Sequence, residues 1–387
     1  MATAKFKEAS PYVKPKPSPP AEDYIYDKYI KDLALKTDNQ QESVVRVALF
    51  GVGRAGTIHL TNILSNTRSE ILYIVDDVES NWPNMRQRWR LDNVTFLTSK
   101  QSAKVFKDPK VDAVVVASPT YTHEEIVIKA LEAKKAVFCE KPIAENISDT
   151  VKCYEIAKKS GQPLFCAFNR RFDPSYSNVR DRVRNGEVGH IHTIKTVSRD
   201  SPLPTVDYLK MSGGIFHDCI VHDIDMVTWV LGEYPDKVSV LADANVPEIK
   251  AIDDFDTIGI VMHFPSGTIG MIDISRNSTY GYDQRLEVFG PKGMVKAENE
   301  QPTFVHQYDL HGVSTAPIWY SFASRFMNGY RREFDHFLDI IHGKAESSVK
   351  AKEILAVSKI ATACEESART GKVVNLKWVA NELPENN

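Results

Sequence analysis

The stretch "VVRVALFGVGRAGTIHLTNILS", Val44 to Ser65, decides how this chain folds. Val44 to Phe50 is apolar and rich in valine around a single arginine, which predicts a buried strand. Thr57 to Ser65 spaces its apolar residues for a helix. Between them lies a G-x-G-x-x-G turn, Gly51-Val52-Gly53-Arg54-Ala55-Gly56. Gly51 permits the tight turn, Gly53 lets a pyrophosphate approach the backbone, and Gly56 lets helix and strand pack closely. The free N–H groups at the helix start, around Arg54 and Ala55, and the helix dipole then favour phosphate oxygens. A plain glycine turn is the competing reading. The strand before and the helix after supply the context that a dinucleotide-binding turn requires.

Downstream, apolar strand-like runs alternate with helical ones. "EILYIVDD", "VTFL", "VDAVVVASP", "AVFC" and "PLFCAF" read as strands, and "EEIVIKALEAKK" and "SDTVKCYEIAKKSG" as helices. Strands apolar on both faces and separated by helices predict a parallel sheet covered on both sides. The second strand ends in Asp76-Asp77, about 20 residues past the glycine turn, where an acid binds the adenosine ribose hydroxyls. Asp76 fits that place by register. Its charge repels a 2′-phosphate, so NAD is expected over NADP. An Asx turn at the strand end would use the same residues, and Arg86, Arg88 and Arg90 could tolerate NADP. "SPTYTH" sets Ser118, Thr120 and His123 at the carboxyl end of the fourth strand, the edge where open α/β sheets bind ligands. "CEKP" sets Glu140 and Lys141 at the end of the fifth, where a nicotinamide would lie, and Pro142 biases Lys141 away from helix. A solvated surface lysine is the ordinary alternative.

After Asn169 the period shifts. "HIHTIKTVSRD", "KVSVLAD", "DTIGIVMHF", "TIGMIDISRN", "RLEVFG" and "MVKAE" read as strands, with "PSG" and "GPKG" as hairpin turns. Two helical runs, 321–342 and 350–370, follow. The expected fold is α/β. An N-terminal Rossmann dinucleotide-binding domain covers 44–168, and a C-terminal α+β domain with a large, mostly antiparallel sheet covers 169–378. The helix over 350–370 is expected to pack back on the first domain. Residues 1–43, rich in proline and lysine, read as a disordered tail, and 379–387 as a second tail. In "SGGIFHDCIVHDIDMVTWVLG" a helix ending at Gly232 would set Asp218, His222 and Asp225 at i, i+4 and i+7 on one face. A histidine between two carboxylates has the make-up of an oriented acid/base. The solvated face of an amphipathic helix is the bland alternative. A metal pair is a third reading that no further ligand cluster supports, so no metal is expected.

The formal net charge of −3 gives no electrostatic footprint for nucleic acid or an anionic membrane. No apolar run approaches a membrane span. The five cysteines are scattered without a C-x-x-C pair, which reads as free thiols in a reducing compartment. With no apolar leader near Met1, the expected location is cytoplasmic.

Taken together, "VALFGVGRAGTIH", "VVVASPTYTH", "CEKPIA", "FNRRFDPSY", "SGGIFHDCIVHDIDM" and "FGPKG" resemble the Gfo/Idh/MocA oxidoreductases. The E-K-P element followed by a D-x-x-x-H helix is specific to that family. "SRDSP" and "TYGYDQRLEVFG" look like its inositol-dehydrogenase branch, which oxidises myo-inositol to the 2-ketone with NAD. The resemblance implies that Lys141 reaches both nicotinamide and substrate and that Asp218 and His222 complete a catalytic triad. His222 would take the hydroxyl proton, Lys141 would stabilise the oxygen, and Asp218 would orient the pair. A polyol needs further polar partners, and Arg171, Asp225 and Tyr280 are the candidates, although Tyr280 could equally be a sheet-face aromatic. Scyllo-inositol or a pyranose is the alternative substrate, and a ligand-sensing regulator of the same fold the non-enzymatic alternative. The resemblance also implies a homodimer or homotetramer built through the open face of the antiparallel sheet. The apolar residues on both registers of 257–275 (Ile258, Ile260, Val261, Met262, Ile269, Met271, Ile272) agree with it.

Overall fold

The computed structural model describes residues 43–384. The tail expected over 1–43 lies outside the described residues apart from Ser43. The chain enters as β1 (Val45–Phe50), α1 (Arg54–Ser65), β2 (Ser69–Val75), α2 (Trp82–Trp89), β3 (Thr95–Leu97) and α3 (Ala103–Lys107). It continues as β4 (Ala113–Val116), α4 (His123–Glu132), β5 (Ala136–Glu140), α5 (Ile147–Ser160) and β6 (Leu164–Ala167). The strands form one six-stranded sheet in the order β3-β2-β1-β4-β5-β6. Every pair in it is parallel. β4 and β6 are buried at every residue, which is why they read as unbroken apolar runs. The strand order reverses between β1 and β4, and the crevice outside their carboxyl ends is where such sheets bind ligands.

Packing at that reversal explains the glycines. Gly51 has φ +84°, and a Cβ there would lie 2.6 Å from the Ser118 Cα. A Cβ on Gly56 would lie 2.1 Å from the Gly51 carbonyl oxygen, so α1 can sit on the turn only without a side chain at that point. A Cβ on Gly53 would meet nothing within 4 Å.

The second half adds α6 (Pro174–Arg184), β7 (Thr193–Arg199), α7 (Val206–Met211), α8 (Gly214–Asp218), α9 (Ile220–Leu231), β8 (Lys237–Asp243) and α10 (Pro247–Lys250). Then come β9 (Thr257–His263), β10 (Ile269–Ser275), β11 (Asp283–Gly290), β12 (Gly293–Ala297), β13 (His306–Asp309) and β14 (Gly312–Thr315). The chain closes with α11 (Phe322–Arg325), α12 (Met327–Ile341), α13 (Ala351–Thr370) and β15 (Val374–Asn375). The large sheet has seven strands in the order β12-β11-β7-β10-β9-β8-β15. Only β7 and β10 pair in parallel; the other neighbours run antiparallel. Its strands alternate: Ile258, Ile260 and Met262 of β9 are buried, while Val261 between them is half exposed. The largely buried α9 and the long α13 pack against the inner face. α13 also touches α5, and α12 packs on α1, so both closing helices bind the second half to the first.

Three local readings change. The helix expected within 212–232 and ending at Gly232 breaks at Cys219, and the one expected over 321–342 breaks at Phe326. The helix α6 was legible in "FDPSY": Asp173 accepts from the amides of Ser175 and Tyr176 at 3.1 Å, with proline next in line. The first part of the expected second tail is tied down, because Glu382 accepts from Lys359 Nζ of α13 at 3.0 Å.

The glycine turn generates a paired test in thermal melts. Gly56→Ala should cost about 1–3 kcal/mol or more from overpacking against backbone, while Gly53→Ala should stay within about 0.5 kcal/mol of wild type. Equal melting temperatures for the two variants would contradict this packing.

Candidate active site

A cleft of about 880 Å³ opens where the carboxyl ends of β1, β4 and β5 meet α7, α8 and α9. Gly51, Gly53, Arg54, Ala55, Asp76, Ser118, Thr120, His123, Glu140 and Lys141 line it from the first half. Gly56 does not; it is the packing glycine behind the turn. α1 begins at Gly53 with no side-chain cap and no acid in its first turn, so its amides are left for an anion. The open space over Gly53 gives a pyrophosphate room to reach them. Asp76 accepts from the Val52 amide at 2.9 Å and the Val78 amide at 2.8 Å. The Asx-turn reading and the cleft-lining position thus hold for the same residue, and each oxygen keeps a lone pair for a ribose hydroxyl. Arg86, Arg88 and Arg90 stay out of the cleft; Arg86 donates to the carbonyls of Leu91 and Val94. These residues fit a dinucleotide with an unphosphorylated ribose.

His123 is a strut. Its ring nitrogens face the carbonyls of Pro142 (2.7 Å) and Ser118 (2.8 Å), tying the exits of β4 and β5 together. The Lys141–Pro142 peptide there is cis. Burial pulls the His123 pKa below its ordinary value despite both carbonyls.

Lys141 crosses to the second half. Its Nζ donates to the Asp218 carbonyl at 2.6 Å and to Asp218 Oδ1 at 3.2 Å. That carbonyl would accept the His222 amide in a continuous helix. Here the His222 amide bonds the Cys219 carbonyl instead, so the helix breaks and the D-x-x-x-H spacing no longer describes one helical face. Asp218 also accepts from Tyr208 OH at 2.9 Å and from Arg276 Nη1 at 3.2 Å. Burial would raise its pKa. The charges of Lys141 and Arg276 and the bonds from Tyr208 and Lys141 outweigh burial and hold the carboxyl below its ordinary range. His222 lines the same cleft with its ring edge-on to Phe168. Burial, and then the cations Lys141 and Arg170, push its pKa well below the ordinary value, so the imidazole is neutral. Among the described residues, Asp218 bonds Lys141, Tyr208 and Arg276 but not His222.

Three expected substrate contacts do not reach the cleft. Arg171 turns away and pairs with Asp225, Nε to Oδ2 at 3.0 Å, and its Nη1 donates to Glu353 at 2.6 Å. Both Arg171 and Asp225 are buried in the joint between α9 and α13, outside the cleft lining. Tyr280 is 52% exposed, donates to Asp283 at 2.5 Å and lies outside as well. Their neighbours take the cleft positions. Arg170, bonded to Asp223 (3.1 Å) and Ser198 (3.2 Å), lines the cleft in place of Arg171, and Tyr282 in place of Tyr280. Adjacent residues in "NRRF" point to opposite sides, and only the packing of the second half decides which. Tyr208 and Arg276 carried no motif signal of their own, and Asp200, although inside "SRDSP", was not singled out.

A buried pair with one partner removed leaves an uncompensated charge. Arg171→Ala should therefore cost about 3–5 kcal/mol in urea denaturation. A loss below about 1 kcal/mol would return Arg171 to the list of substrate contacts.

The comparisons with known proteins agree with this architecture. The model of the NAD-binding Rossmann fold of the oxidoreductase family GFO_IDH_MocA matches residues 45–168, and that of its C-terminal alpha/beta domain matches 180–376. The myo-inositol 2-dehydrogenase of Thermotoga maritima is 37% identical over 87% of this chain and 99% of its own. The scyllo-inositol 2-dehydrogenase (NAD(+)) of Bacillus subtilis is 30% identical over 87% of this chain and 97% of its own. The crystal structure of a myo-inositol dehydrogenase from Corynebacterium glutamicum superposes with a TM-score of 0.80 at 33% identity, covering 87% of this chain and 100% of that one. Matched along both halves, this chain belongs to the Gfo/Idh/MocA family of oxidoreductases and is an NAD-dependent dehydrogenase acting on CH–OH.

Proposed function

We propose that the protein oxidises a cyclic polyol, myo-inositol first of all, to its ketone, with Lys141, Asp218 and His222 as the reacting constellation. The observation that carries this reading is the Lys141 ammonium, held by Asp218 in the wall between the glycine turn and His222. The amides at Gly53 and Arg54 hold the pyrophosphate of NAD, and Asp76 holds its ribose. Bound NAD supplies the acceptor for the hydride of the reacting C–H. His222, already neutral, takes the hydroxyl proton. Lys141 donates to the same oxygen and offsets its growing negative charge, and Asp218 fixes where the ammonium stands. Arg170, Asp200, Tyr208 and Tyr282 line the rest of the cleft, a polar wall suited to a ligand with many hydroxyls.

A second substrate reading has support of its own. A relative named for scyllo-inositol aligns over nearly the same length as the one named for myo-inositol. The deciding experiment follows NADH at 340 nm with myo-inositol, scyllo-inositol, glucose and xylose, each with NAD and NADP. The expected result is the highest rate with myo-inositol and NAD; a faster isomer would move the assignment within the polyols. Lys141→Ala should lower kcat by about 10²–10³-fold while NAD binding stays measurable. Wild-type turnover would remove Lys141 from the chemistry.

We also infer a homo-oligomer through the outer face of the seven-stranded sheet, where Leu241, Val261, Ile269 and Phe289 remain exposed. Light scattering at micromolar concentration should give a dimer or tetramer, and a monomeric mass would contradict it. Among the described residues no helix is long and apolar enough to cross a membrane. The five cysteines are free thiols, which supports a cytoplasmic location.

A further inference from the structure

Behind Lys141 lies a polar cluster that the proposed chemistry leaves unused. His59 of α1, Glu140 at the end of β5 and Glu333 of α12 bring one ring nitrogen and two carboxyl groups within 4.8 Å of one another. His59 and Glu333 are both 0% exposed. His59 Nε2 meets Glu140 Oε1 at 2.7 Å. Neither oxygen of Glu333 has a hydrogen-bond partner. The surroundings are aromatic: the Phe138 ring lies 4.9 Å and the Tyr330 ring 5.8 Å from the His59 ring, centre to centre. A lone buried carboxylate without a cation is expensive, and a second carboxylate beside it adds repulsion. The cluster is therefore held by a proton, a metal ion or a combination of charges not otherwise present.

Geometry separates these. Two ligands each about 2.1 Å from one ion stand about 3 Å or more apart. The His59–Glu140 separation of 2.7 Å is that of a hydrogen bond. Glu140 precedes Lys141 directly, so whatever sets Glu140 sets the start of the E-K-P turn. Glu333 comes from the second half of the chain, on the helix that packs against α1.

We propose that Glu333 is a positioning residue, acting through Glu140 to hold Lys141 at the reacting oxygen; this rests on the role given to Lys141 above. The titratable groups facing Glu333 are Glu140, His59, Tyr330 and Cys166, with Lys141 beyond Glu140. Among the described residues none of them bonds it, and the Glu140 carboxyl is the acid beside it. Burial first, and Glu140 second, raise the Glu333 pKa well above the ordinary carboxylate range. Ionisation of Glu333 as the pH rises would set two negative charges against each other and push Glu140, and with it Lys141, out of place.

The test compares Glu333→Ala and Glu333→Gln on the polyol that the wild type turns over fastest. Glu333→Ala should lower kcat about a hundredfold with NADH affinity within about threefold, since a misplacement of about 1 Å has that effect. Glu333→Gln should restore kcat to within about threefold and move the alkaline limb of the kcat profile to higher pH than in the wild type. Wild-type kcat in a folded Glu333→Ala protein overturns the proposal, and so do superimposable pH profiles for wild type and Glu333→Gln. Where Glu333→Ala does not fold, the Glu333→Gln profile decides alone. If the wild type is silent on every polyol, the substrate reading fails and an infrared difference spectrum, wild type minus Glu333→Gln, decides this one. A protonated-carboxyl C=O band at neutral pH is expected, and its absence overturns the proposal. A stoichiometric divalent metal in the purified protein, lost in Glu333→Gln, overturns it too.

Discussion

The bond from Lys141 Nζ to the Asp218 carbonyl joins the two halves of the molecule at the point where chemistry is proposed. Much of the site's layout depends on it. It meets the chain at a helix break, where α8 ends at Asp218 and α9 starts afresh after Cys219. It brings the Asp218 carboxylate to a place where Tyr208 and Arg276 also reach it. Three donors on one carboxylate keep it ionised, and that charge in turn stabilises the ammonium. His222 enters the cleft from the first turn of the new helix and, buried beside two cations, stays neutral. A neutral imidazole and an ammonium coexist in one cleft because the carboxylate pairs with the second and leaves the first alone.

The second half solves its electrostatics by pairing. Arg170 meets Asp223, Arg171 meets Asp225, Arg276 meets Asp254 as well as Asp218, and Arg325 meets Asp173. The arginine of each pair is nearly or wholly inaccessible. Such pairs add little net stability over an apolar filling, yet breaking one costs about 3–5 kcal/mol. Their arrangement gives the cleft a rigid polar wall: Arg170 is anchored by Asp223 from behind while its face lines the cavity. A wall preorganised in this way can receive hydroxyl groups without rearranging. Glu333 has no such pairing among the described residues: its oxygens meet no donor, and Glu140 beside it leads directly to Lys141.

How much of this was legible depended on whether a residue's role is local. The glycine turn, Asp76, the carboxyl ends of β4 and β5, and Lys141 all follow from a strand and the residues after it, and they line one cleft. The hairpins at 265–267 and 290–293 are likewise local, because turn chemistry is written within a few residues. Arg171, Asp225 and Tyr280 fail for the opposite reason. Each was chosen from a spacing or a neighbouring motif, but the direction of its side chain is set by contacts that spacing does not carry: Glu353 of α13 for Arg171 and with it Asp225, and Arg199 and Asp283 for Tyr280. Helical spacing placed Asp218 and Asp225 on one stripe with His222, and the break at Cys219 ended the stripe.

By itself the sequence determined the parallel sheet, the dinucleotide turn and the residues that leave the strand ends, because backbone pattern and glycine sterics act over short distances. Only the tertiary structure decided which of two adjacent arginines and which of two nearby tyrosines face the cleft. Only it decided where the helix before His222 breaks, and that Glu333 stands behind Glu140. Those outcomes depend on burial and charge brought together from residues up to hundreds of positions apart, such as Glu140 and Glu333, and a linear pattern carries no record of which charges will share one low-dielectric space.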